Sequence, residues 1–233
     1  FHFFNPVAVM PLVEVVKTPQ TDDATLSTAM VTAAKLFKNA VITTDTPGFV
    51  VNRILAKVLG EAMHAVDTGT AFEVVEESTK PFGLPMTPFE LLELVGLTVG
   101  AHVLDTHHAA FPERFFQSEN LHKLAELGHI FERDSKGKVT GIDKKARAIV
   151  AGGTTPMTAD ELRTRIEDGL ADEVHRMLDD MVVEAAEDID LCLILGAGYP
   201  FQMGGVTPYL DRVGASERVF NDTFHHPVLR GGN

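Results

Sequence analysis

The chain has 233 residues, 45% of them hydrophobic, which is enough for one large or two small domains with cores of their own. Lys and Arg number 20 against 33 Asp and Glu, so the formal net charge is −13 at pH 7. This acidity argues against a nucleic acid or an anionic membrane surface as the main partner, because both need a basic footprint. No apolar run approaches the roughly 20 residues that span a bilayer. Cys192 is the single cysteine, which excludes an internal disulfide, and we expect it to be a buried core thiol.

The first 44 residues predict two strands, a helix and a third strand. Residues 1–17 form apolar, β-branched runs typical of strands, and a helix follows with Thr21 or Asp22 as its N-cap. A short strand over Ala40–Thr43 then ends in a turn at Pro47-Gly48. These elements are too few for a free-standing α/β sheet and resemble the end of one. We therefore expect residues 1–44 to be disordered, paired with another copy, or packed against the helical part.

From Phe49 onward the pattern predicts helices, so the fold class is mainly α. Helices are expected over residues 49–69, 71–83 and 87–111, and a helical pattern returns over 158–196. Between them the chain is more polar, and SKGKVTG is the best candidate for a linker or loop. The acids between Asp179 and Asp190 are expected to line a solvated helix face.

The two helical regions predict an internal repeat. Arg53 and Glu61 recur as Arg165 and Glu173, each pair 112 residues apart. In the same order, FGLPMTPFELLELVG is echoed by GAGYPFQMGGVTPYLDRVG. We interpret the regions as two copies of one helical unit, packed pseudo-symmetrically.

His2 and Glu14 are the first candidates for chemistry, since each lies on a predicted strand. Neighbouring strands can bring an imidazole and a carboxylate within hydrogen-bond range. A buried carboxylate that holds one ring nitrogen fixes the tautomer and stabilises the imidazolium, as a general base requires. The pattern alone leaves alternatives open, because His2 can be a packed histidine and Glu14 can face water from an edge strand.

Three separated blocks, HFFNPV, MPLVEVV and DTPGFVVNR, resemble the 3-hydroxyacyl-CoA dehydrogenase family. The sequence is most similar to the dehydrogenase region of multifunctional fatty-acid oxidation complex alpha subunits, which add a second helical repeat. The resemblance implies an NAD-dependent oxidoreductase of fatty-acid β-oxidation, which oxidises 3-hydroxyacyl-CoA to 3-ketoacyl-CoA.

The resemblance also implies roles for individual residues. His2 would be the catalytic base, Glu14 its acidic partner, and Asn52 the side chain that contacts the reacting oxygen of the substrate. Asn5 would lie at the nicotinamide side of the NAD site. Tyr209 would touch the acyl-CoA, and packing in the core of the repeat is its alternative.

Members of this family carry a Rossmann domain with a G-x-G-x-x-G turn and a catalytic Ser upstream of the His. Neither is in this sequence, since GAGYPF at Gly196 has only the first two glycines and follows a predicted helix. We therefore expect a C-terminal fragment that is inactive alone. Its expected domains are residues 1–44 as a remnant of the NAD-binding, Rossmann-like domain, 45–153 as a first helical repeat and 154–233 as a second.

The expected partners are the acyl-CoA substrate, a second copy of the chain and possible docking to a thiolase subunit, with no nucleic acid and no integral membrane segment. The compartment is the cytoplasm if the source is bacterial, with mitochondria or peroxisomes as alternatives. No metal is expected, because the adjacent pairs His107-His108 and His225-His226 point in different directions. The alternative function is a non-catalytic helical module for dimerisation or docking.

Overall fold

The computed structural model describes residues 1–226, and most of their regular structure is helical, which confirms a mainly α fold. The strands are β1 His2–Phe3, β2 Leu12–Lys17, β3 Asn39–Thr44, β4 Phe131–Arg133 and β5 Val139–Ile142. The helices are α1 Asp23–Lys35, α2 Val51–Asp67, α3 Phe72–Thr79, α4 Pro88–Val95, α5 Leu97–Ala110, α6 Glu119–Leu127, α7 Lys144–Val150, α8 Ala159–Asp179, α9 Ala186–Gly196, α10 Val206–Arg212 and α11 Ala215–Phe220. Short 3₁₀ turns cover Lys80–Phe82 and Phe201–Met203.

The chain folds as two compact units. One comprises residues 1–54 with those from 167 onward, and the other comprises residues 55–166. Helices α2 and α8 therefore each contribute residues to both units. These units are not the domains expected from the sequence, whose ranges remain a prediction.

The first unit contains a sheet with strand order β1-β2-β3, so β2 is the central strand among the described residues. β1 pairs antiparallel with β2, which sets His2 opposite Glu14, and β3 pairs parallel with β2. Helix α1 forms the crossover that parallel neighbours need. The apolar side chains of Val13 and Val15 on β2 pack with Ala33 of α1 in one buried cluster.

The first 44 residues pack against helical segments of the same unit, which is the third of the expected arrangements. The Thr44 N–H donates to the Val182 carbonyl at 3.0 Å. Leu12 lies so close to Gly196 of α9 that a Cβ on the glycine would be 2.6 Å from Leu12 Cδ2. Asp22 is confirmed as the N-cap of α1, since its Oδ1 accepts from the Thr25 N–H at 2.7 Å.

The single helix expected over residues 87–111 is wrong, because the chain bends at Gly96 between α4 and α5. Gly96 has a φ of 92°, a conformation that favours glycine. Beyond the bend the helices approach closely, since a Cβ on Gly100 would lie 2.5 Å from Leu92 Cδ2. The pattern over 158–196 likewise divides, into α8 and α9.

The stretch SKGKVTG, expected to be a linker or loop, is a loop in its first half and a strand in its second, since it forms the turn and second strand of a β-hairpin, β4–β5. Asp134 closes the turn, with its Oδ1 accepting from the N–H groups of Lys136 and Lys138 at 2.9 Å each. Polar composition is shared by linkers and exposed hairpins, so composition alone cannot separate the two.

The expectation that the acids between Asp179 and Asp190 line a solvated helix face is wrong for Asp190, which is buried. Its Oδ1 accepts from the Thr207 N–H at 2.8 Å, and its Oδ2 accepts from the Thr207 hydroxyl at 2.6 Å. The same hydroxyl lies 2.6 Å from His225 Nε2. Burial raises the pKa of Asp190, and the hydrogen bonds from Thr207 oppose that shift.

Candidate active site

His2 and Glu14 form a side-chain pair across the antiparallel strands β1 and β2. His2 Nδ1 lies 2.5 Å from Glu14 Oε2. The Glu14 side chain is wholly buried on the central strand, whereas the His2 side chain is 27% exposed. The possibility that Glu14 faces water from an edge strand is therefore excluded.

The second oxygen of Glu14 is held by the start of helix α2. Glu14 Oε1 accepts from the N–H groups of Val50 at 3.1 Å and Val51 at 3.0 Å. The first N–H groups of a helix have no partner within it, and the helix dipole favours negative charge there. The buried carboxylate thus has hydrogen bonds to both oxygens.

This arrangement fixes which nitrogen of His2 can act as a base. Because the carboxylate accepts a hydrogen bond from Nδ1, we assign the proton of the neutral imidazole to Nδ1. Nε2 then has its lone pair available, and it makes no hydrogen bond to the residues described here. A half-buried imidazole with this tautomer can take a proton from a substrate hydroxyl.

Two aromatic rings pack on the imidazole. The Phe4 ring meets it edge-on, with centroids 4.6 Å apart, and the Phe49 ring is tilted at 52° with centroids 5.3 Å apart. Both rings belong to short segments that also carry site residues, since Phe4 follows β1 and Phe49 precedes α2.

The two asparagines expected in the site lie close in sequence to this pair. Asn52 is in the first turn of α2, directly after the Val51 amide that holds Glu14, and its side chain is half-buried. The Asn52 amide makes no hydrogen bond within the described part of the chain. Asn5 is exposed, three residues beyond His2. Their contacts with substrate and cofactor remain predictions.

Tyr209 has a different environment from the other expected site residues. It is buried in α10, and its hydroxyl donates to Glu167 Oε1 at 2.6 Å. This placement suits the packing alternative, and a contact with acyl-CoA remains a prediction.

Sequence reasoning missed the residues that support the pair. The Val50 and Val51 amides could have been suspected from Pro47-Gly48, a turn that opens directly into an apolar helix. The rings of Phe4 and Phe49 had no such signal, because their contact with His2 depends on the tertiary fold.

The sequence indicated Arg53 only as part of the repeat, yet it also makes hydrogen bonds to the turn before α2. It is wholly buried, and its Nε donates to Glu173, which is also wholly buried. Its Nη1 donates to Thr46 Oγ1 at 3.4 Å, and its backbone N–H donates to the Gly48 carbonyl at 3.1 Å. These contacts join the first turn of α2 to the segment that precedes it.

We assign no catalytic or binding role to the single cysteine or to any metal site in the described residues. Cys192 is confirmed as buried, and burial raises the pKa of its thiol. Within residues 1–226, no group of three or more His, Cys, Asp or Glu is arranged to hold a metal ion, and no helix is long and apolar enough to cross a membrane.

A buried carboxylate that orients a half-buried imidazole is an arrangement that suits general acid–base chemistry. Residues 1–46 match the family model described as 3-hydroxyacyl-CoA dehydrogenase, NAD binding domain. Residues 48–140 match that described as 3-hydroxyacyl-CoA dehydrogenase, C-terminal domain. Together the matches cover more than half of the chain, which belongs to the 3-hydroxyacyl-CoA dehydrogenase family.

Curated relatives include the fatty acid oxidation complex subunit alpha of Acinetobacter baumannii (strain SDF), 32% identical over 235 residues. That match covers 94% of this chain and 33% of the relative, so the chain spans about a third of the length of such relatives.

Solved structures show the same fold. The 3-hydroxybutyryl-CoA dehydrogenase of Escherichia coli K12 is 20% identical, with a TM-score of 0.71 over 98% of this chain and 68% of that one. The (S)-3-hydroxybutyryl-CoA dehydrogenase PaaH1 of Ralstonia eutropha is 29% identical, with a TM-score of 0.51 over 61% of this chain and 51% of that one.

Proposed function

We propose that this chain is the C-terminal part of an NAD-dependent 3-hydroxyacyl-CoA dehydrogenase of fatty-acid β-oxidation, and that it supplies the catalytic base of the intact enzyme. The observation that carries the proposal is the His2–Glu14 pair, in which a wholly buried carboxylate holds Nδ1 of a half-buried imidazole. A histidine that only packs needs no buried carboxylate partner. Membership of the family supports the same activity.

In this proposal His2 Nε2 takes the proton of the 3-hydroxyl as hydride leaves C3 of the substrate. The imidazolium that forms has its positive charge beside the Glu14 carboxylate, which stabilises it. General-base assistance of this kind contributes about 10²–10⁴ in rate. The helix start that holds Glu14 keeps the carboxylate in place while the charge on His2 changes.

The residues present fit the nicotinamide end of an NAD site. When bound, NAD accepts the hydride from C3. The exposed Asn5 amide, three residues beyond His2, would contact the cofactor on its nicotinamide side. The Asn52 amide, which has no hydrogen-bond partner among the described residues, would donate to the oxygen of C3 as that oxygen becomes a carbonyl.

We also propose that residues 45–153 and 154–233 are copies of one helical unit, preceded by the nucleotide-domain remnant 1–44. Each copy has a long helix, a second helix, a 3₁₀ turn and a helix with a Thr-Pro pair at or near its start. Left-handed glycines follow the 3₁₀ turn and the Thr-Pro helix in both copies: Gly83 and Gly96 in the first, Gly204 and Gly214 in the second.

Matching side-chain contacts support the repeat. The fifth residue of α3, Glu76, accepts from the Thr87 hydroxyl at 3.0 Å. The fifth residue of α9, Asp190, accepts from the Thr207 hydroxyl at 2.6 Å. Burial raises the pKa of both carboxyls, which supports a common origin of the two contacts, although Asp190 is buried and Glu76 is half-buried.

The repeated Arg and Glu exchange partners between α2 and α8. Arg53 of α2 pairs with Glu173 of α8 in one unit, and Arg165 of α8 donates to Glu61 of α2 at 2.5 Å in the other. A duplicated helical unit, in which each copy supplies one Arg and one Glu, accounts for this reciprocity.

The names of the relatives support two further proposals. The name 'fatty acid oxidation complex subunit alpha' supports the proposal that the parent protein belongs to a complex. A thiolase subunit as the partner is proposed from the family resemblance alone. The fatty acid oxidation complex alpha subunits of Acinetobacter baumannii and Pseudomonas syringae are bacterial, which supports the proposal of a bacterial cytoplasm.

Calorimetric titration of the chain with acetoacetyl-CoA tests the function against a non-catalytic association module. We expect weak, measurable binding that Asn52→Ala abolishes and that Asn39→Ala, a change at an exposed strand position, leaves unchanged. Dimerisation with no acyl-CoA binding would favour the module. In a second titration, with NAD, we expect no micromolar binding. Micromolar binding of NAD would contradict the fragment interpretation.

A further inference from the structure

Phe49 occupies an unusual backbone conformation beside the His2–Glu14 pair. Its φ is 46°, in the left-handed region that bulky residues rarely adopt, and it follows Gly48 with a φ of 78°. These two left-handed residues turn the chain into α2. The next N–H groups, those of Val50 and Val51, are the donors to Glu14 Oε1.

The Phe49 side chain contacts the other member of the pair. Its half-buried ring lies 5.3 Å from the imidazole of His2, centroid to centroid, while the ring of Phe4 contacts the same imidazole edge-on. Phe49 therefore touches His2 through its side chain, and its backbone leads into the donors that hold Glu14.

We propose that Phe49 is a positioning residue for the His2–Glu14 pair. Its ring restricts rotation of the imidazole and shields the Nδ1–Oε2 hydrogen bond from water, which keeps Nε2 as the basic nitrogen. The inference rests on the proposed function, because the orientation of His2 matters to catalysis only if His2 is the base. The geometry of the pair can nevertheless be measured without any catalytic assay.

The proton on His2 Nδ1 provides the readout. An N–H bonded to a buried carboxylate gives a far-downfield proton resonance, visible only where exchange with water is slow. We expect this signal in the wild-type chain at neutral pH and its loss in His2→Ala, which assigns it. In Phe49→Gly, which keeps the backbone conformation and removes the ring, the proton should exchange at least about tenfold faster or disappear.

Phe37 offers a matched control, since it is also left-handed, with a φ of 57°, but its side chain is 93% exposed. Phe37→Gly should leave the His2 signal and its exchange rate unchanged. Should Phe49→Gly lose its far-ultraviolet circular dichroism, Phe49→Leu replaces it, because leucine keeps apolar bulk without a flat ring, and faster exchange is again expected.

Two outcomes would overturn the inference while leaving the proposed function intact. One is an unchanged exchange rate in the folded Phe49 variant, and the other is an equal acceleration in Phe37→Gly. Absence of any His2-dependent signal in the wild-type chain would mean that the Nδ1 proton exchanges rapidly with water, which would contradict the shielding on which the inference depends.

Discussion

At the residue scale, Glu14 stabilises the fold as well as orienting the base. Its carboxylate is wholly buried, with His2 on one oxygen and two helix N–H groups on the other. Glu14→Gln replaces a charged acceptor by a neutral amide, so the hydrogen bonds from the two helix N–H groups lose their charge assistance. We expect a loss of about 1–3 kcal/mol in the free energy of unfolding, measured by urea denaturation at pH 7.

Glu113→Gln is the control for this change, because Glu113 is exposed. Its unfolding free energy should stay within about 0.5 kcal/mol of the wild type. An equal, small effect for both variants would mean that the Glu14 contacts contribute nothing measurable.

The pair itself was predictable from the sequence, since His2 and Glu14 lie on adjacent strands whose antiparallel register sets them opposite each other. The Pro47-Gly48 turn indicated a helix start with unpartnered N–H groups, but it did not indicate that Glu14 accepts from them, because Glu14 lies more than 30 positions earlier in the chain. That contact depends on tertiary packing. Tyr209 shows the same limit, since nothing near it in sequence indicates that Glu167 accepts its hydroxyl hydrogen.

At the element scale, one carboxylate anchors the β4–β5 hairpin, where the sequence predicted a linker or loop. Glu93 of α4 accepts from the N–H groups of Ile130 at 2.6 Å and Phe131 at 2.8 Å, and Arg133 donates to its other oxygen at 2.7 Å. Burial opposes ionisation, but the three donors prevail and hold the pKa of Glu93 below its ordinary value of 4.5.

This lowered pKa makes the hairpin sensitive to acid. Stability from ionised Glu93 is present above pH 4.5 and is lost as pH falls through the lower pKa of the folded state. The protection factors of the Ile130 and Phe131 amides, which compare their hydrogen exchange with the intrinsic rate at each pH, should therefore fall on acidification. Glu93→Gln should remove this pH dependence of the protection factors. An identical pH profile in the variant would contradict the assignment.

The connection into α10 depends on a glycine. Gly205 has a φ of 125°, and a Cβ there would lie 2.3 Å from Asp190 Cγ. Gly205→Ala should cost at least about 1–3 kcal/mol from backbone strain alone, measured as a lower urea midpoint. Gly152→Ala is the control, because a Cβ at that exposed glycine meets nothing within 4 Å. Equal midpoints for the two variants would refute the close contact.

At the scale of the whole molecule, the proposed repeat predicts equivalent ion pairs with unequal energies. The Arg53–Glu173 pair is wholly buried, whereas Arg165, the partner of Glu61, is 46% exposed. Removing one partner of a buried pair leaves an uncompensated charge, so Glu173→Gln should cost about 3–5 kcal/mol. Arg165→Gln should cost about 1 kcal/mol or less, because the Arg165 side chain is half-exposed and Lys57 Nζ, 3.2 Å from Glu61 Oε1, still pairs with the buried carboxylate. Urea denaturation of both variants tests this order, and a reversed order would contradict it.

The order of helices and the repeated Arg and Glu were predictable from sequence, because apolar periodicity and spacing are local properties. The bend at Gly96 and the exchange of partners between α2 and α8 were not. A glycine within a helical pattern can continue a helix or break it, and the choice depends on packing such as that of Leu92 against Gly100.

The oxidation of NADH with acetoacetyl-CoA, followed at 340 nm, tests the central claim most directly. The wild-type chain and His2→Ala are each assayed alone and after mixing with a separately produced nucleotide-binding domain of a relative. We predict no activity for either chain alone, activity for the wild-type mixture, and a loss of about 10²–10⁴-fold in the His2→Ala mixture. Full activity of His2→Ala in the mixture would contradict the assignment of His2 as the base. Full activity of the isolated wild-type chain would contradict the proposal that NAD is bound mainly by another domain.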